Sequence, residues 1–202
     1  MRTAPHLLAL ALSTLSLVAC SDDSALSPVG TWRAVEHGAD APTPIADRTT
    51  MTFDADGTLV IVDGGAAAAP VPWSIDGDLL TYQIIEPSET HTVVTPIAIA
   101  DGHLLLAAMD AQGAVDGVVG TWRYHGSVNA VQLDRTLTLR ADHTASLTEQ
   151  TTPGDGPMTY AATWEDSAPG LRVRIPIGPS TTVSFKLFTL DGVLGGDLFE
   201  QI

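Results

Sequence analysis

The chain contains one unit twice, so its fold must be something that about ninety residues can build and then build again. Pro28-Val29-Gly30-Thr31-Trp32-Arg33 returns as Val118-Val119-Gly120-Thr121-Trp122-Arg123, 90 residues on. Thr50-Met51-Thr52-Phe53-Asp54-Ala55-Asp56-Gly57-Thr58 returns as Thr136-Leu137-Thr138-Leu139-Arg140-Ala141-Asp142-His143-Thr144, at an offset of 86. Trp73 corresponds to Trp164, and Asp101-Gly102 to Asp191-Gly192. These landmarks keep their order and nearly their spacing, which chance explains poorly.

Each copy reads as strands and tight turns. Met51 and Phe53 alternate with polar neighbours, as do Leu171, Val173, Ile175 and Ile177 with Arg172, Arg174 and Pro176. A period of two marks half-buried strands. Asp-Gly pairs at 56–57, 76–77, 101–102 and 191–192 stand where hairpins need positive φ. In the second copy His143 occupies the place of Gly57 and can still visit the left-handed region, though less readily than glycine. Pro96 and Pro176 interrupt apparent strands and predict edges or bulges there. Gly64-Gly65 and the alanines at 66–69 read as a flexible hairpin loop. No apolar pattern with a helical period runs long enough for a helix.

The start, MRTAPHLLALALSTLSLVAC, has one positive side chain, Arg2, and an apolar run from Leu7 to Ala19. The run is shorter than the ~20 residues a bilayer span needs and reads as an export signal. Leu17-Val18-Ala19-Cys20 resembles the lipobox of bacterial lipoproteins. The resemblance implies cleavage between Ala19 and Cys20 and acyl chains on Cys20, the only cysteine. Two or three chains anchor a protein stably where one is marginal. The expected location is the cell envelope, and Ser21 after the cysteine, rather than Asp, points to the outer membrane. A lipidated thiol also leaves nothing for an internal disulfide.

Gly30-Thr31-Trp32, the hairpin Phe53 to Thr58, and Trp73-Ser74-Ile75-Asp76-Gly77-Asp78-Leu79 together resemble the small lipocalin-like domains of bacterial lipoproteins. The resemblance covers nearly the whole mature chain, twice. It implies an all-β fold of two tandem antiparallel barrels or curled sheets, each of seven or eight strands. Lipocalins of the usual kind carry a late basic residue that stacks on the opening tryptophan, and a terminal helix. Neither His103 to Met109 nor Val193 to Ile202 contains an Arg or Lys, and no helix is visible. The expected organisation is a signal peptide at 1–19, a lipidated cysteine and tether at 20–28, and β domains at 29–113 and 116–202. One larger sheet built from both copies is the alternative. Gly30, Trp32, Trp73, Gly120, Trp122 and Trp164 are its structural landmarks, the tryptophans as core residues.

Nine Lys and Arg stand against 24 Asp and Glu, a net charge of −15, and loss of Arg2 with the leader makes the mature chain more negative still. Such a surface disfavours nucleic acid. No Gly-x-Ser-x-Gly elbow or phosphate-binding glycine loop occurs. His37, His91, His103, His125 and His143 lack metal-ligand spacing, although His91 and His103 could face each other across a hairpin. Asp54-x-Asp56-Gly57 starts like a calcium loop, but Leu59 and Gly65 stand where Gly and Glu are required. Turn chemistry explains it. No catalytic, cofactor or metal residue is therefore expected. The readings left open are a non-catalytic envelope lipoprotein that binds a protein or serves structurally, a carrier of a small apolar ligand, and, last, an envelope hydrolase.

Overall fold

The computed structural model describes residues 26–35, 48–154 and 156–202. The expected signal peptide, Ala19, Cys20, most of the expected tether and His37 lie outside the described residues. The first copy supplies β1 (Gly30–Ala34), β2 (Thr50–Phe53), β3 (Thr58–Asp63), β4 (Ala66–Ala67), β5 (Val71–Asp76), β6 (Leu79–Ile85), β7 (Thr90–Ala100) and β8 (His103–Leu106). After β9 (Asp110–Ala111), the second supplies β10 (Gly120–Val128), β11 (Val131–Leu139), β12 (Thr144–Thr152), β13 (Met158–Asp166), β14 (Leu171–Pro176), β15 (Thr182–Leu190), β16 (Val193–Gly195) and β17 (Asp197–Gln201). Every pairing is antiparallel, and the described residues contain no helix.

Local chemistry sets the turns. Asp101-Gly102 and Asp191-Gly192 have φ values of 49° and 72°, and 48° and 78°, the paired positive angles of a type I′ hairpin. His143 adopts φ 62° and lays its ring 4.6 Å from that of Trp164. Gly64-Gly65 makes a tight turn rather than a loose loop. Asp63 pairs with Ala66 and Val62 with Ala67, so the first two alanines extend the hairpin instead of leaving it. Pro96 stands where β7 changes partners: residues 90–96 pair with β6 and 97–100 with β8. A residue without an N–H suits such a corner.

The strands β1-β2-β3-β5-β6-β7-β8 form a meander, and β17 closes it by pairing with both β8 and β1. This is a closed eight-stranded antiparallel barrel whose last strand comes from the far end of the chain. The strands β10 to β16 form a second meander. Its ends are joined by the segment after β8: β9 pairs with β10, and Met109 bridges to Leu194 of β16. The two joints share one register. Trp32 faces Gln201 and Arg33 faces Glu200; Trp122 faces Ala111 and Arg123 faces Asp110, each number moved by 90. Phe199 is buried among Trp32, Met51, Phe53 and Leu104 of the first meander. Met109, its counterpart 90 residues earlier, is buried among Trp122, Leu137, Leu187 and Leu194 of the second. Each copy lends its final strand to the other. The sequence boundary at 113–116 is thus crossed by hydrogen-bonded pairs in both directions.

A third joint pairs Ser127 and Val128 of β10 with Val94 and Val93 of β7. Gly126 permits it: a Cβ there would lie 2.6 Å from the carbonyl oxygen of Val94 and against the Tyr124 hydroxyl. Gly195 plays the same part beside Leu105, where a Cβ would come within 2.6 Å of Cγ.

Exchange of closing strands predicts that the halves hold together without a covalent link. A protease site inserted in the exposed turn at 113–116 should be cut while the two fragments still elute as one species on gel filtration. They should separate only in denaturant. Fragments that part in native buffer would contradict the exchange.

Candidate binding cavity

Each of the four landmark tryptophans donates its indole N–H to a backbone carbonyl. Trp32 Nε1 donates to the Pro28 carbonyl at 2.6 Å and Trp122 Nε1 to that of Val118 at 2.9 Å. Trp73 Nε1 donates to Asp54 and Thr58, and Trp164 Nε1 to Arg140 at 2.9 Å. Trp32, Trp122 and Trp164 are buried; Trp73 is half-buried, with its ring edge-on to Phe53. Gly30 and Gly120 open the two units where a Cβ would press on Gln201 and Val115 respectively.

The histidines lie apart. His91 pairs with Ile84 near the start of β7, whereas His103 faces Ala100 beyond its end, so the two do not meet across a hairpin. His103 Nδ1 lies 3.0 Å from the Asp101 carbonyl, and His125 Nδ1 2.8 Å from Asp134. Hydrogen bonding from His125, joined by Arg123, holds the Asp134 carboxyl below the usual range. His91 is the only histidine placed with two carboxylates among the described residues: its Nε2 lies 3.1 Å from Glu89 and 3.8 Å from Glu86. The other ring nitrogen argues against a metal there. Asn129 accepts from the Thr92 amide through Oδ1, so its Nδ2 must be the group that donates to His91 Nδ1, 2.9 Å away. The ring proton then sits on Nε2, pointed at Glu89, on the atom a metal would need. Asp56 and Asp142 each accept the amide of the threonine two residues on, at 3.0 Å, as turn residues do.

What the sequence reading did not single out is a cavity of about 690 Å³ in the second meander. It arises from one layer of inward positions. In β10 to β12 the layer of Trp122, Leu137 and Leu147 is apolar, and the next holds Tyr124, Arg135 and Glu149, which are cross-strand neighbours in register. Arg135 Nε donates to Glu149 Oε1 at 2.6 Å, and its guanidinium lies 5.8 Å from the centre of the Tyr124 ring. Both members of the ion pair keep contact with water, at 40% and 25% side-chain exposure. That spares them the full desolvation penalty of a dry interior. Opposite stand Ile175, Phe185 and Leu187, with Met109 at the side. In the first barrel the equivalent layer is Ala34, Thr49 and Asp63, with Thr49 Oγ1 donating to Asp63 Oδ1 at 2.6 Å. The signal for the cavity was legible in part. Arg135 stands in phase with Leu133, Leu137 and Leu139, a charge in an apolar alternation.

The two meanders meet beside this cavity. Tyr82 of the first barrel faces Asp197 of the exchanged strand and Tyr124; burial first, then these two groups, push its hydroxyl up to about 12. A phenol raised above its unfolded value near 10 stabilises the fold fully below pH ~10 and loses that contribution as pH rises toward ~12. The raise of about two units corresponds to ~3 kcal/mol at most.

Tyrosinate absorbance should therefore show the Tyr82 phenol ionising only well above pH ~10, together with alkaline unfolding. In Tyr82→Phe the late step should vanish. A difference between wild type and Tyr82→Phe that places the Tyr82 step near pH ~10 in the folded protein would contradict the burial. Comparison with protein-family models, with curated proteins and with solved structures yields no match to this chain, so its function has to be argued from this geometry.

Proposed function

We propose that this chain is a lipid-anchored, non-catalytic binding protein of the bacterial cell envelope, built on lipocalin-like barrels, with its working site in the second of them. One observation carries the binding half of this reading. Two copies of one unit share their strand registers, yet in the second an inward Arg135–Glu149 pair and Tyr124 border a cavity of about 690 Å³. That volume falls in the range of ~300–1,000 Å³ usual for ligand pockets, and its largely apolar walls with a few convergent polar groups have the usual character. A small apolar molecule fits it by size, since eight strands enclose room for side chains or one small ligand.

The anchoring half rests on the leader and on Leu17-Val18-Ala19-Cys20. Residues 21–28 are a tether of about 29 Å at most. Strand β1 enters at Gly30, paired with Phe53, whereas the cavity lies in the second unit, where Tyr124 at the middle of β10 borders it. The strongly acidic surface sets the protein against nucleic acid and anionic headgroups alike.

Metabolic labelling with a palmitate analogue tests the anchor: label and membrane fractionation should both be lost in Cys20→Ala. Continued membrane association without label would overturn it. Native mass spectrometry of the protein from its own host tests the site, with Leu147→Trp, which crowds the cavity, as the control. A co-purifying mass in the wild type that is absent from the folded variant is expected; the same mass in both places the ligand elsewhere.

A further inference from the structure

The cavity's wall contains five consecutive residues of one strand: Val183, Ser184, Phe185, Lys186 and Leu187 of β15. Successive side chains of a strand point to opposite faces, so five in a row can border one space only if the strand's backbone edge faces it. The pairings agree. On one side residues 182–187 pair with β14; on the other, β15 pairs with β16 only from Phe188 onward. Among the described residues no strand covers the edge from Thr182 to Leu187. Six residues of open ladder run for about 20 Å.

The first barrel shows what such an edge accepts. Val93 and Val94 of β7 stand 90 residues before Val183 and Ser184, and they are paired, antiparallel, with Val128 and Ser127 of β10. The same edge is covered by a strand in one copy and borders a cavity in the other. Resting on the reading that this cavity is the binding site, we propose that its occupant is an extended segment of a partner polypeptide, added to β15 as an antiparallel strand. Strand addition of this kind draws affinity from the main chain and specificity from alternate side chains.

The side chains flanking the edge define the segment. On the inner face Phe185 and Leu187 look toward Tyr124 and Leu147, so every second residue of the incoming strand is apolar. On the outer face Lys186, the chain's single lysine, stands directly opposite Arg172 in the β14–β15 ladder. The residue placed beside Lys186 is acidic. Two of the nine basic residues meet here on a chain of net charge −15, which makes this a local exception to its own surface. A lysine on an edge strand also serves simply to prevent unwanted pairing. The two roles differ in outcome, because a purely protective lysine confers no peptide binding.

The test uses the mature full chain and a fluorescein-labelled octapeptide of alternating valine and glutamate, read by fluorescence anisotropy. Saturable binding is expected, weakened about tenfold or more by Lys186→Glu, provided circular dichroism shows that the variant is folded. A peptide N-methylated at alternate backbone nitrogens, and so unable to donate to the edge, should bind at least tenfold more weakly without any change to the protein. Hydrogen exchange should show the edge-facing amides of this stretch, those of the alternate residues not bonded to β14, protected only when the peptide is present. Equal binding of the N-methylated peptide overturns the proposal. So does strong protection of these amides in the chain alone, which would mean the edge is already paired. An environment-sensitive apolar dye separates the two levels of the argument. Dye bound and no peptide bound removes strand addition but leaves a small-molecule site; neither bound removes both.

Discussion

The structure depends on a reciprocal exchange of closing strands. A seven-stranded curled sheet ends in two open edges, each a row of unpaired N–H and C=O groups. Here β17 satisfies the edges of β1 and β8, while β9 with Met109 spans β10 and β16. Phe199 and Met109 carry the apolar side of the same bargain, each buried in a core to which the rest of its own copy does not belong. Without the exchange both sheets would present edges and both cores would lack one wall. With it, a chain without disulfides builds two hydrophobic cores that cannot be taken apart one at a time.

The cavity follows from how unequally the copies fill the same frame. At one layer the first barrel has Ala34, Thr49 and Asp63, and the second Tyr124, Arg135 and Glu149. In the second, both members of the ion pair keep contact with water and border the cavity. The third joint adds to the difference. The β10–β11 hairpin reaches far enough to pair with β7 and covers the edge of the first barrel, whereas β15 borders the open space. Space, polar pair and strand edge come together in the second unit. This is why the functional reading settles there rather than on the tryptophans, whose indole nitrogens are each committed to a backbone carbonyl.

Much of the architecture was legible. The alternation in Met51–Phe53 and Leu171–Ile175, the Asp-Gly hairpins and the absence of a helical period all point to antiparallel strands, and the closed eight-stranded barrel is all-β as expected. His143 in the left-handed region follows from its place opposite Gly57 in the repeat. Less was legible where the outcome depends on distance. His91 and His103 are twelve positions apart, and only the register of β7 against β6 and β8 puts them at opposite ends. Gly64-Gly65 looked loose because local composition does not reveal that Ala66 and Ala67 would find β3 beside them.

By itself the sequence determined the repeated unit, the strand period, the turn positions and the apolar N-terminal run with its single cysteine, since each is read directly from the order of residues. Tertiary structure alone decided which final strand joins which meander. The exchange joins residues far apart in the chain, and it buries Phe199 in the first core and Met109 in the second. The cavity has the same origin. Arg135, Glu149 and the edge of β15 lie dozens of residues apart, and they border one space only after the sheet has curled.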